Sequence, residues 1–574
     1  MLPWPDNVPK HSPKRAARRE APRDKRQPNQ RVARVLSFLE EHSLGCFVAL
    51  VLVASLRIAA TYPVFNHTID EPAHIACGME WLDQQVYKLE IHHPPLARIL
   101  DALGPYLAGA RSQGGEERYQ ESPFRQGALI LYAGGHYQRD LALARLGALP
   151  FFWVAAFAVY WWSRKAFGGL VATLATFLFT FLPPVLAHAG LATNDMAVAA
   201  FSGAAFVCLL AWLERPSVLR SAAFGASVAL AAVSKFSALI FIPAAFVGAF
   251  IWHVIARRPP ARALLIRSRA LLLPFGLAVL TGVLVVWATY RFSFGPVAAL
   301  GIRFPAPEFF SGIEGILRLS RTGSAGYLLG EHSKSGWWYY YPVVLAVKTP
   351  LGFLLLWIAG AVYAIRRRAE AGGALALPLV FSLAILLPAL FGRVNVGVRY
   401  ILPVYLGFAI TAAIGIAAIL RSGGARRWLA AGCAAMLVWF ALSSALSHPD
   451  YLPYFNALAG DEPEKIVADS DLDWGQDVNR VGKRLQELGA RQVAFAPFIL
   501  ADLSQHGWPA VTPSDPLSPS AGWNAVSITV WKVARMGLYD QYPGVRSWPD
   551  LYRPRERVGK GMLLYYFPPQ RPSR

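Results

Sequence analysis

The sequence has few cysteines and few charges for its length. Only four cysteines occur among its 574 residues, at the scattered positions Cys46, Cys77, Cys208 and Cys433. Cysteines placed in this way predict neither a disulfide framework nor a zinc site. Charged residues account for 16% of the chain and hydrophobic residues for 55%. A water-soluble surface needs more charge than this, so the composition argues against a soluble globular protein.

Several motifs are missing as well. The sequence has no Walker loop for a nucleotide phosphate, no evident cleavable signal segment and no internal repeat of the kind that transporters carry. It therefore gives no sign of nucleotide-dependent chemistry, and a transporter becomes a weaker candidate. We predict neither a cofactor nor a metal.

Long apolar runs dominate what is present. About eleven stretches of roughly 20 apolar residues are long enough to cross the hydrocarbon core of a membrane as helices. They lie near residues 44–63, 142–162, 168–187, 195–213, 219–235, 238–256, 269–290, 341–365, 373–391, 400–420 and 427–446. The fold class is therefore predicted to be mainly α, a polytopic membrane protein whose membrane domain covers residues 44–446.

The net charge of +21 indicates membrane orientation rather than nucleic-acid binding. Basic residues separate the apolar runs, and with about eleven spans their clusters all fall on one side, which the positive-inside rule makes cytoplasmic. The clusters are the N-terminal tail, Arg164/Lys165, Arg215/Arg220, Arg257/Arg258, Arg366–Arg368 and Arg421/Arg426/Arg427. The N-terminus is then cytoplasmic, and residues 1–43 are predicted to be a disordered basic tail.

The same alternation places loops 64–141 and 291–340 and the segment 447–574 on the outer face. The last segment is predicted to be a small α/β domain with a helix over 474–488 and strands at RQVAFAP, AVSITVW and GMLLYYF. Within it, Asp469, Asp471 and Asp473 alternate as metal ligands can. We favour a helix start instead, because Asp473 with Gln476 resembles a capping box.

The first outer loop is predicted to contain amphipathic helices. Its apolar residues Ile75, Met79, Leu82 and Val86 recur at helical spacing, which indicates a helix lying at the membrane interface. A second helix is predicted to begin at HHPPLARILDALGPYL, with His93 at or near its N-cap. Spacing alone leaves open whether His93 starts the helix or faces a substrate.

Asp70 and Glu71 directly follow the first apolar run. A charge costs little at that position, and a carboxylate there can still reach a cavity at membrane level. Followed by Pro72, the two acids also make a good helix N-terminus, where negative charge is favourable. The residues alone leave both interpretations open.

Further charges fall on the same predicted side, namely Asp195, Lys235, Lys348 and Arg399. Lys348 lies about two helical turns inside its predicted span, roughly 10 Å from the start. A lysine there needs a partner unless its side chain extends back to the interface, and the same alternative holds for Arg399.

These stretches together resemble a known family. DEPAH after the first span, HPPLAR, TND, SKFSAL, YYYPVVLAVKTPL and RYILP, in this order, are similar to the phospholipid-carrier-dependent glycosyltransferases of the GT-C superfamily, such as the dolichyl-phosphate-mannose protein mannosyltransferases. The resemblance covers nearly all of residues 44–446. It extends to HPDYLPYFNALAG and DSDLDWGQDVNRV, which resemble the bacterial members.

The resemblance implies a polyprenyl-phosphate sugar as donor and transfer with inversion. Asp70 matches the catalytic aspartate, the general base, and a direct role for Glu71 stays open. The residues implied to bind substrate or the lipid phosphate are His93, Arg145, Asp195, Lys235, Lys348 and Arg399. Arg98 departs from the family pattern, because a lysine is common at that position. Base catalysis with cations at the leaving oxygen is consistent with displacement of a lipid phosphate.

Two alternatives stay open. A transporter or flippase of lipid-linked sugars would place polar groups near the bilayer midplane and on both faces, whereas these groups cluster outside. A ligase or polymerase that moves whole glycans from a lipid diphosphate would share the topology. The sugar and the acceptor, whether protein, lipid or glycan, are not indicated. The Arg- and Ala-rich composition suggests a bacterium, so we expect an inner-membrane protein with a periplasmic C-terminal domain.

Overall fold

A computed structural model of the chain describes residues 30–297, 301–368, 370–422, 427–534 and 544–569. The predicted basic tail lies outside the described residues up to residue 29. Its last part forms helix α1 (Gln30–Glu41), so the prediction of disorder is wrong there. The sequence RVARVLSFLEE is amphipathic, and its Leu36 and Leu39 pack against the main core.

The first apolar run and the loop after it are helical. Helix α2 (Ser43–Ala59) is followed by three loop helices, α3 (Glu71–Met79), α4 (Pro95–Leu107) and α5 (Pro123–Ala133). Pro94 is the N-cap of α4, so His93 lies one residue before the cap, near its predicted place. The loop is not laid flat as a single surface layer, because Ile75, Met79 and Leu131 form a buried cluster of their own.

The central part of the chain consists of consecutive helices. They are α6 (Tyr137–Leu146), α7 (Leu149–Phe167), α8 (Gly169–Thr180), α9 (Pro183–Ala189), α10 (Asp195–Glu214), α11 (Val218–Ala232), α12 (Ala238–Arg257) and α13 (Ala261–Thr289). Inside a bilayer each backbone N–H and C=O must bond within its own segment, which a helix achieves. The second large outer loop contains β1 (Phe294–Val297) paired antiparallel with β2 (Ile302–Pro305), helix α14 (Pro307–Thr322), and the short hairpin of β3 (Gly326–Leu328) and β4 (Glu331–Ser333).

The remaining membrane helices are α15 (Tyr340–Lys348), α16 (Leu351–Arg366), α17 (Leu377–Ala389), α18 (Val404–Arg421) and α19 (Arg427–Leu446). Over the predicted span 341–365, α15 and α16 are bent by 117° at their junction. Pro350 explains the break: the residue before a proline disfavours helical backbone, and Thr349 is extended. Lys348 therefore lies at a bend instead of inside a continuous helix.

The protein is an integral membrane protein, mainly helical, with a small C-terminal sheet. In the described part of the chain, six helices are long and apolar enough to cross a membrane, or up to nine if each bent pair counts as one span. Each predicted apolar run contains a helix, but the runs near 219–235 and 373–391 give only shorter ones. The count of about eleven spans stays a prediction.

The C-terminal region forms one five-stranded sheet with a helix. Its elements are α20 (Val478–Glu487), β5 (Gln492–Phe495), β6 (Ala510–Pro513), β7 (Gly522–Ser527), β8 (Glu556–Val558) and β9 (Met562–Phe567), and the strand order is β6-β5-β7-β9-β8. Strand β5 is parallel to β6 and β7, whereas β9 is antiparallel to β7 and β8. The three predicted strands are present, and β6 and β8 were not predicted.

The helix predicted over 474–488 begins only at Val478, and the predicted capping box is wrong. Gly475 has φ +86, a left-handed conformation that interrupts a helix. Asp473 Oδ2 accepts hydrogen bonds from Ser527 Oγ at 2.5 Å and from the Thr529 backbone N–H at 3.1 Å. The spacing of Asp473 and Gln476 resembles a helix cap, but the Asp473 carboxylate instead bonds residues at and just after the end of β7.

The bundle has two chemically different ends. At one end Lys165 Nζ of α7 pairs with Glu214 of α10 at 2.6 Å, and Arg421 of α18 pairs with Glu40 of α1 at 2.7 Å. Helix α10 runs from there to Asp195, about 30 Å away at 1.5 Å per residue. The C-terminal domain and the first outer loop meet at that second end.

Candidate active site

Asp70 and Arg399 meet at the second end of the bundle. Asp70 is the N-cap residue of α3, yet its side chain makes no capping hydrogen bond. Its Oδ2 instead accepts a hydrogen bond from Arg399 Nη1 at 2.9 Å. Arg399 lies in the turn that precedes α18, and its Nε donates to the Val396 carbonyl at 3.1 Å. The geometry therefore favours a site residue over a helix cap for Asp70.

Asp195 and Lys235 extend this pair into a network. Asp195 opens α10, and Lys235 lies in the turn between α11 and α12. Lys235 Nζ donates to Asp195 Oδ1 at 2.5 Å, and Asp195 Oδ2 lies 3.8 Å from Arg399 Nη1. Two carboxylates and two cations from four separate parts of the chain thus alternate in one cluster, in the order Asp70, Arg399, Asp195 and Lys235. Buried charges persist when they are paired in this way.

The four side chains of the network differ in their exposure. The side chain of Asp195 is fully buried, whereas those of Asp70, Arg399 and Lys235 are 26%, 14% and 11% exposed. A reacting molecule can therefore reach Asp70 first, with the guanidinium of Arg399 beside it. This is the arrangement that a base and an anion-binding cation need.

Arg145 and Glu71, two further predicted residues, form a separate buried pair. Arg145 Nε and Nη2 donate to the two oxygens of Glu71 at 2.8 and 2.9 Å, and Nη1 donates to the Phe65 carbonyl at 3.1 Å. Both side chains are at most 1% exposed. Burial opposes ionisation of Glu71, but the Arg145 guanidinium and two backbone N–H groups hold its pKa below the ordinary value. The pair fixes the loop that carries Asp70.

Lys348 is likewise engaged with protein atoms. Its Nζ donates to the carbonyls of Leu452 at 2.6 Å and Asp471 at 2.5 Å, and it lies 4.3 Å from the Phe455 ring centroid. The lysine therefore has the partner that its position requires and does not extend back to the interface. It attaches the C-terminal segment to the bend between α15 and α16.

His93 lies next to His74, near the Lys235 end of the charge network. Its ring centroid is 5.7 Å from that of His74, whose Nδ1 accepts a hydrogen bond from Arg98 Nε at 3.2 Å. Burial, together with the nearby Arg98, lowers the pKa of His93 well below its ordinary value. Arg98 also pairs with Glu90, so this cation too is occupied.

Trp474 is a site residue that the sequence did not indicate. Its indole lies 4.2 Å from the Arg399 guanidinium and is almost fully buried. Its carbonyl accepts a hydrogen bond from the Ile69 N–H at 3.1 Å, one residue before Asp70. A cation held over an aromatic face is stabilised electrostatically. Trp474 lies within DSDLDWGQD, a stretch whose spacing suggests only metal binding or helix capping.

An apolar groove lies beside the network. It has a volume of about 650 Å³ and is walled by α11, α12, α13 and the loop 304–310. Its lining includes Val228, Ile242, Phe246, Val283 and Phe309. The turn that joins α11 to α12 carries Lys235, so the apolar walls lead to the charged cluster. Among the described residues, no group of three or more His, Cys, Asp or Glu side chains is arranged to hold a metal ion.

No family model and no curated protein sequence matches the chain. Among solved structures it is similar to ArnT from Cupriavidus metallidurans bound to undecaprenyl phosphate, with 14% identity, a TM-score of 0.48 and coverage of 91% of this chain and 98% of that one. It is also similar to the oligosaccharyltransferase AglB from Archaeoglobus fulgidus in complex with an inhibitory peptide and a dolichol-phosphate, with 13% identity, a TM-score of 0.41 and coverage of 83% and 61%. Similarity this low assigns no reaction.

Proposed function

We propose that this protein is an inverting glycosyltransferase that moves a sugar from a polyprenyl-phosphate donor to an acceptor hydroxyl. The observation that carries the proposal is the accessible carboxylate of Asp70 paired with Arg399 at 2.9 Å, in a cluster whose other cation, Lys235, lies in the turn between two helices that line an apolar groove. A lipid-linked sugar has matching parts: an apolar chain, a phosphate and a reacting carbon. The resemblance of the sequence to the GT-C glycosyltransferases points to the same chemistry.

Asp70 acts as the general base. It takes the proton of the acceptor hydroxyl as the acceptor oxygen bonds to the anomeric carbon, and the bond from that carbon to the phosphate oxygen breaks. The products are a glycoside of inverted configuration and the polyprenyl phosphate. No nucleotide takes part, because the leaving group is the lipid phosphate itself.

Arg399 and Lys235 hold the phosphate. Each is paired with an aspartate in this structure, Arg399 with Asp70 and Lys235 with Asp195. A donor phosphate competes with Asp70 for the guanidinium, and charge-assisted hydrogen bonds of this kind are strong. The exchange also frees the oxygens of Asp70 to accept the proton. Donor binding and release of the base are then a single event.

Arg145, Glu71 and Lys348 support the site from behind. All three are buried and hydrogen-bonded to protein groups, which favours a positioning role for each. A phosphate contact of Arg145 or Lys348 stays a prediction, and it would require these bonds to be exchanged. A contact of His93 with the donor also stays a prediction, and its ring lies beside that of His74.

The groove takes the lipid chain of the donor. Its walls are apolar side chains of membrane helices, so an isoprenoid chain buries surface there as it would in the bilayer. This explains why the charged cluster lies at the end of the helices and not in the middle of a soluble domain.

The site faces away from the cytoplasm. The basic loops gather at the opposite end of the bundle, which the positive-inside rule makes cytoplasmic. The N-terminus is then inside, and the C-terminal domain is periplasmic if the protein comes from a bacterial inner membrane.

The test is to incubate purified protein with a panel of polyprenyl-phosphate monosaccharides and to identify by mass analysis which sugar leaves its lipid. Transfer or hydrolysis of one sugar, abolished in Asp70→Asn, is the expected result. Movement of labelled lipid across vesicles without cleavage would instead establish a flippase. Activity only with lipid-diphosphate glycans would establish a ligase or polymerase.

A further inference from the structure

The C-terminal domain extends a short segment, residues 469–474, into the candidate active site. Ser470 Oγ donates to the Val396 carbonyl at 3.0 Å, and the Val398 N–H donates to Asp471 Oδ1 at 3.0 Å. The segment is therefore bonded to two of the three residues that directly precede Arg399. Through the Trp474 carbonyl it is also bonded to the residue before Asp70. A segment fixed to both site residues is part of the site wall.

Asp469, the first residue of this segment, has an unusual backbone conformation. Its φ is +61, in the left-handed region that non-glycine residues rarely adopt and that aspartate and asparagine tolerate best. Its N–H donates to Thr529 Oγ1 at 3.2 Å, and its carbonyl accepts from the Leu472 N–H at 2.8 Å. Such conformations persist where the surroundings enforce them, and they cluster at functional sites.

The three acids of the segment differ in what their side chains do. Asp471 and Asp473 are buried: Asp471 Oδ1 accepts from the Val398 N–H and Asp473 Oδ2 from Ser527, while Asp471 Oδ2 is enclosed without a hydrogen-bond partner among the described residues. Asp469 remains partly exposed, and among the described residues it forms no salt bridge, since Arg399 pairs with Asp70 and Asp195. Arg399 and Asp70 nevertheless act on it electrostatically. Asp469 is thus the acid of this segment whose carboxylate a bound molecule can reach.

We propose that Asp469 binds hydroxyl groups of the sugar that is transferred, an inference that rests on the proposed function. A carboxylate accepts hydrogen bonds from two neighbouring hydroxyls and repels a phosphate, so its ligand is the uncharged sugar ring. The ring is covalently attached to the phosphate that Arg399 holds, which places it beside Asp469. The C-terminal domain then contributes to donor recognition directly.

The experiment measures the affinity of the purified full-length chain for bare polyprenyl phosphate and for polyprenyl-phosphate glucose, mannose and galactose. Asp469→Asn keeps a residue that tolerates the left-handed backbone and removes the charge. Asp469→Gly removes the side chain and relieves the conformation. Asp461→Asn, an exposed acid upstream in the same domain, is the matched control. A thermal melt confirms that each variant is folded.

We expect both Asp469 variants to bind the preferred sugar-bearing lipid roughly 10- to 100-fold more weakly, because hydrogen bonds to a charged group are lost. Affinity for the bare lipid phosphate stays unchanged, as does every affinity of Asp461→Asn. Equal weakening for both ligands, or none for either, overturns the inference. If the wild-type chain binds no sugar-bearing lipid more tightly than the bare lipid, the donor assignment itself fails, and with it this inference. That failure is visible before any variant is compared.

Discussion

Asp70 Oδ2 and Arg399 Nη1 lie 2.9 Å apart although the residues are separated by 329 positions in the chain. The proposed general base and a proposed phosphate ligand are therefore each other's partner in this structure. Loss of Arg399 is then expected to affect both donor binding and turnover, whereas loss of the Asp70 charge should lower turnover and leave donor binding intact. The donor phosphate replaces Asp70 as the partner of Arg399, which links donor binding to proton transfer by Asp70.

The first prediction concerns Arg399. Arg399→Ala is expected to weaken donor binding roughly 10-fold or more, because a charge-assisted contact to the phosphate is lost. Turnover should also fall, since the charge that develops on the leaving phosphate loses its cation. Arg399→Lys should restore part of the affinity. Isothermal binding and steady-state kinetics with the identified donor provide the measurement.

Arg393→Ala is the matched control, because Arg393 is exposed in the preceding loop and donates only to the Arg321 carbonyl among the described residues. A folded Arg399→Ala protein with wild-type donor affinity would contradict the phosphate assignment. Arg399 would then be a structural partner of Asp70.

The second prediction tests whether Arg145 has a structural role or binds the lipid phosphate. Arg145→Ala leaves Glu71 buried without its counter-ion, and breaking such a pair costs about 3–5 kcal/mol of unfolding free energy. The variant is expected to melt at a clearly lower temperature in detergent, as is Glu71→Gln. Arg125→Ala, which removes an exposed pair with Glu121, should change stability by about 1 kcal/mol or less.

An Arg145→Ala protein that keeps the wild-type melting temperature but binds donor weakly would reverse this conclusion. Arg145 would then contact the lipid phosphate, as the family resemblance implies. The melt and the binding assay together distinguish the two roles.

The sequence was a good guide to the helices and a partial guide to the site. Each apolar run contains a helix, because hydrophobic length is a local property that the bilayer enforces. The resemblance pointed to Asp70, Asp195, Lys235 and Arg399, and the structure brings these four together. Sequence spacing could not have done so, since their contacts join distant parts of the chain.

What the sequence missed depends on tertiary contacts. Arg145 and Lys348 look like available cations in the sequence, yet neighbours far along the chain occupy their N–H groups. The stretch at 469–477 matched a helix cap in spacing, but Asp473 bonds β7, and Trp474 packs under Arg399. Local patterns cannot show which of two satisfactory partners a polar group takes in the folded chain.

The third prediction is topological. In a cysteine-free background, Ser112→Cys and Ser520→Cys should react with an impermeant thiol reagent from outside, and Arg367→Cys should not. The structure supports this arrangement, because the basic loops and the site lie at opposite ends of α10. Labelling at 520 only after permeabilisation would show that the number of spans differs from the prediction by an odd number.

The fourth prediction is a pH dependence of stability. Burial raises the pKa of Asp469 to about 6 from its ordinary value of 3.8, although Arg399 opposes the shift. The folded chain thus holds a proton on Asp469 that the unfolded chain releases earlier, so the contribution of Asp469 to stability falls as the pH rises from about 4 to about 6. Asp469→Asn does not titrate there.

The melting temperature of Asp469→Asn should therefore gain on that of the wild type across this interval and stay constant relative to it above about pH 7. In free energy of unfolding, the gain of the variant over the wild type is at most about 3 kcal/mol, and it is smaller to the extent that water reaches the carboxylate. Parallel melting curves at all pH values would show that the carboxyl titrates normally in the folded chain.

The last prediction tests Asp70 itself. Asp70→Asn keeps the size of the side chain and removes the base, and loss of a general base typically lowers the rate about 10²- to 10⁴-fold. Donor binding should survive, because the asparagine no longer competes as an anion for Arg399. Asp83→Asn is the control, an acid of the same outer loop that bonds Ser112. Turnover, donor affinity and a thermal melt are measured side by side. A folded Asp70→Asn enzyme that keeps more than about a tenth of its turnover would exclude Asp70 as the base, and its pairing with Arg399 would then be structural.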